Sequence, residues 1–557
     1  MTTQSSGTQR QGTNGTLPFF MGWGRVFSVI ILVMLLVFSH SQPINFTNVD
    51  LGRHLKNGEV TLAQGGPTST NYYSYTEPQR ESINHHWATG VLFYFIERTG
   101  GGIQGVSLFY LLLRVITILL FLYSATLISN YATAYFFTVL SIPLLVSRLD
   151  PRPEGISYFM MAAIFLIGTL YKNGKISGRW LFVIPLLQIL WVNCHLFFPL
   201  GVFLTSVFYV EEWLNKREKR KLKVLGGVIL LQLFACLVNP YGIKGALIPL
   251  KIFENYGYQL AENQSVIFMQ HRFPQNWEYV QFEILFFLLA GGFVALLTKD
   301  RLAKHVSVVL IFMLCSLVSW KVIRGIPLFG LFYIPVSSYV FYKVIAAHSG
   351  RVRLISAWVL LLVGVVLCAL GLTGQMRPYS PYERLLIPAQ VYQDKNSIAK
   401  MRYVLGHIPE MIGLIPGVNA SAEFFKENRL RGPVFNNYDI GSYLIYHLFP
   451  KERVFVDNRP ESYSTAFFKD IYIPMQENED VWKKMDELYK FNVIFFYRRD
   501  ITPWAQPFLI KRIVDLQWVP VFADDFSLIL VKRAEQNAEV IRKHELPKNI
   551  FSVKITD

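Results

Sequence analysis

Long apolar runs separated by short polar segments fill the chain from residue 24 to residue 374. A helix needs about 20 apolar residues to cross a hydrocarbon core of ~30 Å. On that measure the runs 24–42, 103–128, 131–148, 155–171, 180–195, 197–212, 224–239, 280–298, 305–320, 325–345 and 354–374 predict about eleven membrane-spanning helices. The pair 180–195 and 197–212 shares a short hinge at Cys194–His195. After Gly374 the pattern changes, and short β runs alternate with helical stretches. Strands are expected at Gly432–Phe435, Arg453–Val456 and Asn492–Phe496, with a closing pair at Trp518–Phe522 and Phe526–Val531. Helices are expected at Asp439–Leu448, 466–474 and 479–490, which together make a small α/β domain over 375–557. Residues 1–23 open with a Gly/Thr/Ser/Gln-rich stretch expected to be disordered.

Composition supports the membrane reading. Of 557 residues 52% are hydrophobic and 17% charged, whereas soluble domains run near ~25% charged. That excludes an ordinary cytosolic enzyme, a disordered protein and a DNA-binding module. The formal charge of +16 raises the thought of nucleic acid, but its distribution points to membrane topology instead. Basic clusters follow spans four (Lys172, Lys175, Arg179), six (Lys216 to Lys223), eight (Lys299, Arg301, Lys304) and ten (Lys343, Arg351, Arg353). With eleven spans all four clusters fall on the side of the N-terminus, which the positive-inside rule makes cytoplasmic. The loop 43–102 and the α/β domain then face outward, in a multi-pass plasma (inner) membrane protein. All four cysteines sit in apolar runs, so no disulfide framework is expected.

The first outward loop carries Asn48-Val49-Asp50-Leu51-Gly52-Arg53-His54-Leu55, Tyr73-Ser74-Tyr75-Thr76 and Asn84-His85-His86-Trp87. A carboxylate just past a transmembrane helix lies at the water interface, where it can serve as general base to an acceptor. His54 is four residues on and shares a helix face with Asp50. The alternative role for Asp50 is to cap the helix that follows. Asp150-Pro151-Arg152-Pro153-Glu154 offers a carboxylate pair for Mg²⁺ or Mn²⁺; the alternative is a Pro-bounded turn whose acids pair with Arg148 and Arg152. Arg114, near the middle of span two, must face the bundle interior. In the tail, Asp439 suits a helix cap, and Asp457-Asn458-Arg459 suits a structural turn or a ligand site at strand ends.

These motifs resemble those of the GT-C superfamily of integral-membrane glycosyltransferases, which place an essential acid in the first outward loop. The likeness is to a bacterial group with an Asp-x-x-x-His-Leu first-loop motif and a C-terminal α/β tail. It rests on Asp50, His54-Leu55, Gly58-Glu59, Pro67, Tyr73 to Thr76 and Asn84 to Trp87. It continues at Arg152-Pro153-Glu154, Asn193, His195, Asn239 to Gly242, Arg324 and Pro327, and in the tail at Asn437 to Leu444 and Val456 to Arg459. The resemblance implies a polyprenyl-phosphate-linked sugar donor, Asp50 as catalytic base, and an envelope glycolipid, polymer or protein as acceptor. Arg152 and Arg324 would hold the donor phosphate, and His54, His85, His86, Glu154 and His195 would line the substrate site. His85 and His86, expected to open an amphipathic helix, would turn their rings to different faces. The aromatic loop 244–279 would stack on sugar or lie in the interface. Two departures stand out: Asp50 is a single acid where many relatives carry a pair, and the acid pair of metal-dependent members has only Asp150 and Glu154 as its counterpart. Other readings are a non-catalytic transport or assembly subunit for envelope glycans, and an O-antigen-polymerase-like enzyme relying on Arg and His.

Overall fold

The computed structural model describes residues 16–346, apart from 217, 252, 253 and 275, and residues 412–553, apart from 501, together with the two-residue strand Leu385–Leu386. The expected span 354–374 and Phe253 lie outside the described residues. Helices α1 (Thr16–His40), α4 (Gly102–Ile128), α5 (Tyr131–Leu145), α6 (Glu154–Lys172), α7 (Val183–Cys194), α8 (Pro199–Leu214), α9 (Lys219–Ala235), α10 (Trp277–Leu297), α11 (Val306–Lys321) and α12 (Ile326–Ala346) fall on the other ten predicted runs. Between α1 and α4 lie α2 (Leu51–Gln64) and α3 (Trp87–Thr99). Among the described residues four segments, Gly102–Ile128, Glu154–Lys172, Trp277–Leu297 and Ile323–Ala346, are long and apolar enough to cross a membrane, and shorter apolar helices accompany them. The protein is a multi-pass membrane protein.

The bundle packs through aromatic and small residues. Phe121 of α4, Phe165 of α6 and Phe332 of α12 meet at ring separations of 5.0–6.2 Å. At Gly330 a Cβ would lie 2.9 Å from the Leu145 side chain, so glycine is what lets α12 approach α5 so closely. Arg114 is buried with its guanidinium 4.7 Å over the Tyr110 ring, which satisfies the demand for an interior partner.

The first loop folds as a helical pair. A Cβ on Gly58 would fall 2.1 Å from the carbonyl oxygen of Gly90, so α2 and α3 cross backbone to backbone. The α/β region has a four-stranded sheet of β1 (Val434–Asn436), β2 (Val493–Tyr497), β3 (Trp518–Ala523) and β4 (Ser527–Lys532) in the order β1-β2-β4-β3. β1 runs parallel to β2 and the remaining pairs are antiparallel. The expected strand at Arg453–Val456 is not one. Val454 makes an isolated bridge to Ser74 of the first loop, its backbone N–H donating to the Tyr73 carbonyl at 3.1 Å.

That bridge belongs to a broad junction between the first loop and the α/β region. Helix α13 (Gly441–Leu448) packs on α2, where a Cβ on Gly52 would lie 2.7 Å from the Ser442 carbonyl. The Arg53 N–H donates to Ser442 Oγ at 2.8 Å. Nearby, Arg459 is clamped by both oxygens of Asp457 at 2.7 and 2.8 Å, donates to Asn71 at 2.9 Å, and lies over the Tyr73 ring. The tail motifs around 437–444 and 456–459 thus dock the loop that carries Asp50.

Candidate functional site: a cavity beneath the first loop

A cavity of about 900 Å³ lies where α2, the loop 244–264 and the α/β region meet, and Asp50, Arg152 and Arg324 are in its wall. Asp50 occupies the N-cap position of α2, yet its side chain accepts no capping hydrogen bond. The capping role is therefore corrected: the carboxylate turns to the cavity and to two arginines, 3.5 Å from Arg152 and 3.8 Å from Arg53. Both contacts are long for ion pairs, and the side chain keeps 23% of its exposure.

Beneath Asp50 lies a stack of histidines. The His54 and His86 rings meet edge to face at 5.3 Å, His85 and His86 at 3.9 Å, and His86 and His195 stack at 5.2 Å. His85 and His86 precede α3 rather than opening it, so the two rings lie together; the expectation of separate helix faces is corrected. Burial pulls His85 down to about 4 and holds His54 and His86 well below the usual histidine range, with Arg53 adding to the effect. These three rings are neutral at pH 7. His85 and His86 line the cavity, whereas His54 and His195 are buried behind it. His195 hydrogen-bonds with Ser157 Oγ at 2.8 Å, and Trp191 donates to the same oxygen at 2.7 Å. Asn193 accepts from Trp87 at 2.9 Å and donates to the Ile189 and Val238 carbonyls, a structural tie between α7 and the first loop.

Glu154 is buried and spends its carboxylate on Arg148, whose Nε donates to it at 2.6 Å. It is not in the cavity wall. That pairing removes one arm of the carboxylate pair that Mg²⁺ or Mn²⁺ would need, and among the described residues no group of three or more His, Cys, Asp and Glu is gathered as for a metal ion. Asp150 and Glu154 therefore do not fit a site for a bound divalent cation.

Sequence reasoning missed several wall residues. Glu262, in the turn Ala261–Asn263, meets Arg148 at 2.9 Å, Arg152 at 3.3 Å, and also Arg324. Asp439 and Glu461 enter from the α/β region, beside Asn458 of the turn already offered as a ligand site. Asp439 is not a cap: α13 begins at Gly441 with Ile440 in the N-cap position. Burial, reinforced by Asp500 and Asp50, raises the Asp439 carboxyl well above the usual range, and burial raises Glu461. The cavity therefore has a cationic floor on the helix ends and an acidic roof on the α/β region. Tyr241 pins its rim, accepting from the Asn84 N–H at 3.1 Å and donating to the Thr68 carbonyl at 2.8 Å. Tyr258 of the aromatic loop is buried against Tyr438 at 4.4 Å, as core rather than as an exposed sugar platform.

No protein-family model matches the chain, and no curated protein matches it. Solved structures do. The archaeal oligosaccharyltransferase AglB from Archaeoglobus fulgidus, in complex with an inhibitory peptide and a dolichol-phosphate, superposes with a TM-score of 0.56 at 11% identity over 90% of this chain and 74% of that one. The apo structure of ArnT from Cupriavidus metallidurans gives 0.54 at 14% identity, over 93% of this chain and 99% of that one. The chain thus has the fold of the GT-C membrane glycosyltransferases.

Proposed function

We propose that the protein is a membrane glycosyltransferase that moves a sugar from a polyprenyl-phosphate-linked donor to an envelope acceptor, with Asp50 as the base. The observation that carries the reading is the Asp50 carboxylate, released from helix capping and turned into a large cavity beside Arg152 and Arg324. Fold likeness to an oligosaccharyltransferase whose structure holds a dolichol-phosphate supports the donor class.

In the proposed reaction an acceptor hydroxyl or amine gives its proton to Asp50 as its oxygen or nitrogen bonds to the anomeric carbon. The bond from that carbon to the phosphate oxygen breaks on the opposite face, inverting the centre. Polyprenyl phosphate leaves with the electron pair, its growing charge met by Arg152 and Arg324, whose planar forks match phosphate oxygens. His85 and His86, neutral at pH 7, offer hydrogen bonds to sugar hydroxyls without adding charge beside Asp50. The acidic roof, with Asp439 and Glu461, faces the acceptor. On the positive-inside rule we assign the N-terminus to the cytoplasmic side and the α/β region, read as a domain over 375–557, to the extracytoplasmic side.

The test is the purified protein in lipid nanodiscs, supplied with a panel of polyprenyl-phosphate sugars and membrane extract from its host. Mass spectrometry would follow free polyprenyl phosphate and glycosylated acceptor. Release of both supports the reading and names the donor. Movement of an intact lipid-linked sugar without cleavage, or growth of a lipid-linked polymer on a pyrophosphate carrier, would replace it with the transport or polymerase reading.

A further inference from the structure

Three arginines converge on one carboxylate at the cavity floor. Glu262 Oε2 accepts from Arg148 at 2.9 Å and from Arg152 at 3.3 Å, while its other oxygen pairs with Arg324. Two of these guanidinium groups keep buried nitrogens with no hydrogen-bond partner, Arg148 Nη2 and Arg324 Nε. Arg152 also reaches Asp50 at 3.5 Å, so the spot held by Glu262 is one guanidinium away from the base. Arg148, Arg152 and Arg324 face Glu154, Glu262 and Asp50, and Arg53 beside Asp50 leaves the cluster with one positive charge in excess.

A three-arginine seat with spare donors suits a tetrahedral anion better than a planar carboxylate. A phosphodiester carries one negative charge, as Glu262 does. Two such anions cannot share the same three cations at a few ångströms without strong repulsion, whereas a one-for-one exchange leaves the net charge of the cluster unchanged. Glu262 is placed for such an exchange. It sits on a three-residue turn with a quarter of its side chain exposed. The adjoining Gln264 carbonyl accepts from the Ile323 N–H at 3.0 Å, beside Arg324. On the other side the turn runs within four residues to Tyr258, stacked on Tyr438 next to Asp439 of the roof.

We infer that Glu262 is the resident counter-ion of the donor-phosphate seat, and that the phosphate of the lipid donor displaces it on binding. Through Tyr258 the same displacement is felt at the roof, which links donor binding to the acceptor side. The inference rests on the donor reading above and adds the residue that must leave.

Binding of methyl farnesyl phosphate, a phosphodiester with one negative charge, to the full-length protein in neutral nanodiscs tests it, in wild type and in Glu262→Gln, Glu254→Gln and Arg324→Ala. Glu262→Gln keeps the shape and removes the charge, so binding tightens about tenfold or more. Glu254→Gln removes a nearby charge of the same cavity wall and shifts binding less than about threefold; Arg324→Ala weakens it. Binding that is unchanged or weaker in Glu262→Gln, with wild-type affinity abolished by Arg324→Ala, overturns the exchange and leaves the phosphate seat standing, with Glu262 as a mere spacer of arginines. Equal tightening in Glu254→Gln also overturns it, since a general field would then suffice. No binding by any form, or binding indifferent to Arg324, overturns the donor-phosphate seat itself.

Discussion

Asp50 and Asp457 both face arginines, and the two regions around them do opposite things. Asp457 is fully buried, holds Arg459 by two bonds of 2.7 and 2.8 Å, and accepts a third from Tyr463 at 3.1 Å. Both of its oxygens are held by fixed donors, and the result is a joint between the first loop and the α/β region. Asp50 has only ion contacts of 3.5 and 3.8 Å, open space in front, and no capping bond behind. A carboxylate that is oriented but under-coordinated can take a proton; one that is saturated holds structure together.

The comparison breaks most sharply at the joint. Asp457→Asn strands the Arg459 guanidinium in a buried site without a countercharge, which costs about 3–5 kcal/mol. Thermal unfolding in detergent should show that loss, with limited proteolysis opening the junction between the first loop and the α/β region. If Asp457→Asn unfolds like wild type, the joint is not what holds the roof in place.

Gly58→Ala tests the scaffold beneath Asp50 without touching either acid. The new Cβ meets the Gly90 carbonyl at 2.1 Å, and overpacking of this kind costs about 1–3 kcal/mol. Because α2 carries Asp50, transfer should fall along with the unfolding midpoint, and a wild-type turnover in Gly58→Ala would argue against a rigid α2.

The smallest effect is in the pH dependence. An exposed histidine titrates near 6.5, whereas folded His85 does so near 4. Between those values the unfolded chain binds the extra proton, so this group's contribution to stability is present above about pH 6.5 and is lost as pH falls toward 4. Unfolding midpoints measured from pH 7 to pH 4 should fall less steeply in His85→Gln than in wild type. Parallel slopes would show that His85 is not held neutral by its surroundings.

Much of this architecture is legible in the sequence because apolar length and strand alternation are local signals. Asp50 is legible too, since its position just past the first span marks it. Glu262 is not, because Ala261-Glu262-Asn263-Gln264 reads as an ordinary polar turn and its partners lie 110 and 114 residues away. Asp439 is hidden for a different reason: an acid two residues before a helix satisfies a local rule, and only the folded roof reveals that the rule goes unused. Val454 and its neighbours have strand composition, yet their pairing partner is a loop nearly four hundred residues earlier, so composition gives the tendency without the ladder. Glu154 is legible in one of its two readings: the turn whose acid pairs with Arg148, only six residues away, is the one the fold adopts.

The central claim is that Asp50 is free in order to act as a base. Single-turnover transfer with the donor identified in nanodiscs, compared between wild type and Asp50→Asn, tests it most directly. Asp50→Asn should keep its unfolding midpoint and its affinity for methyl farnesyl phosphate within a few-fold, while transfer falls by about 10²–10⁴. Transfer within a few-fold of wild type in a folded Asp50→Asn would contradict it.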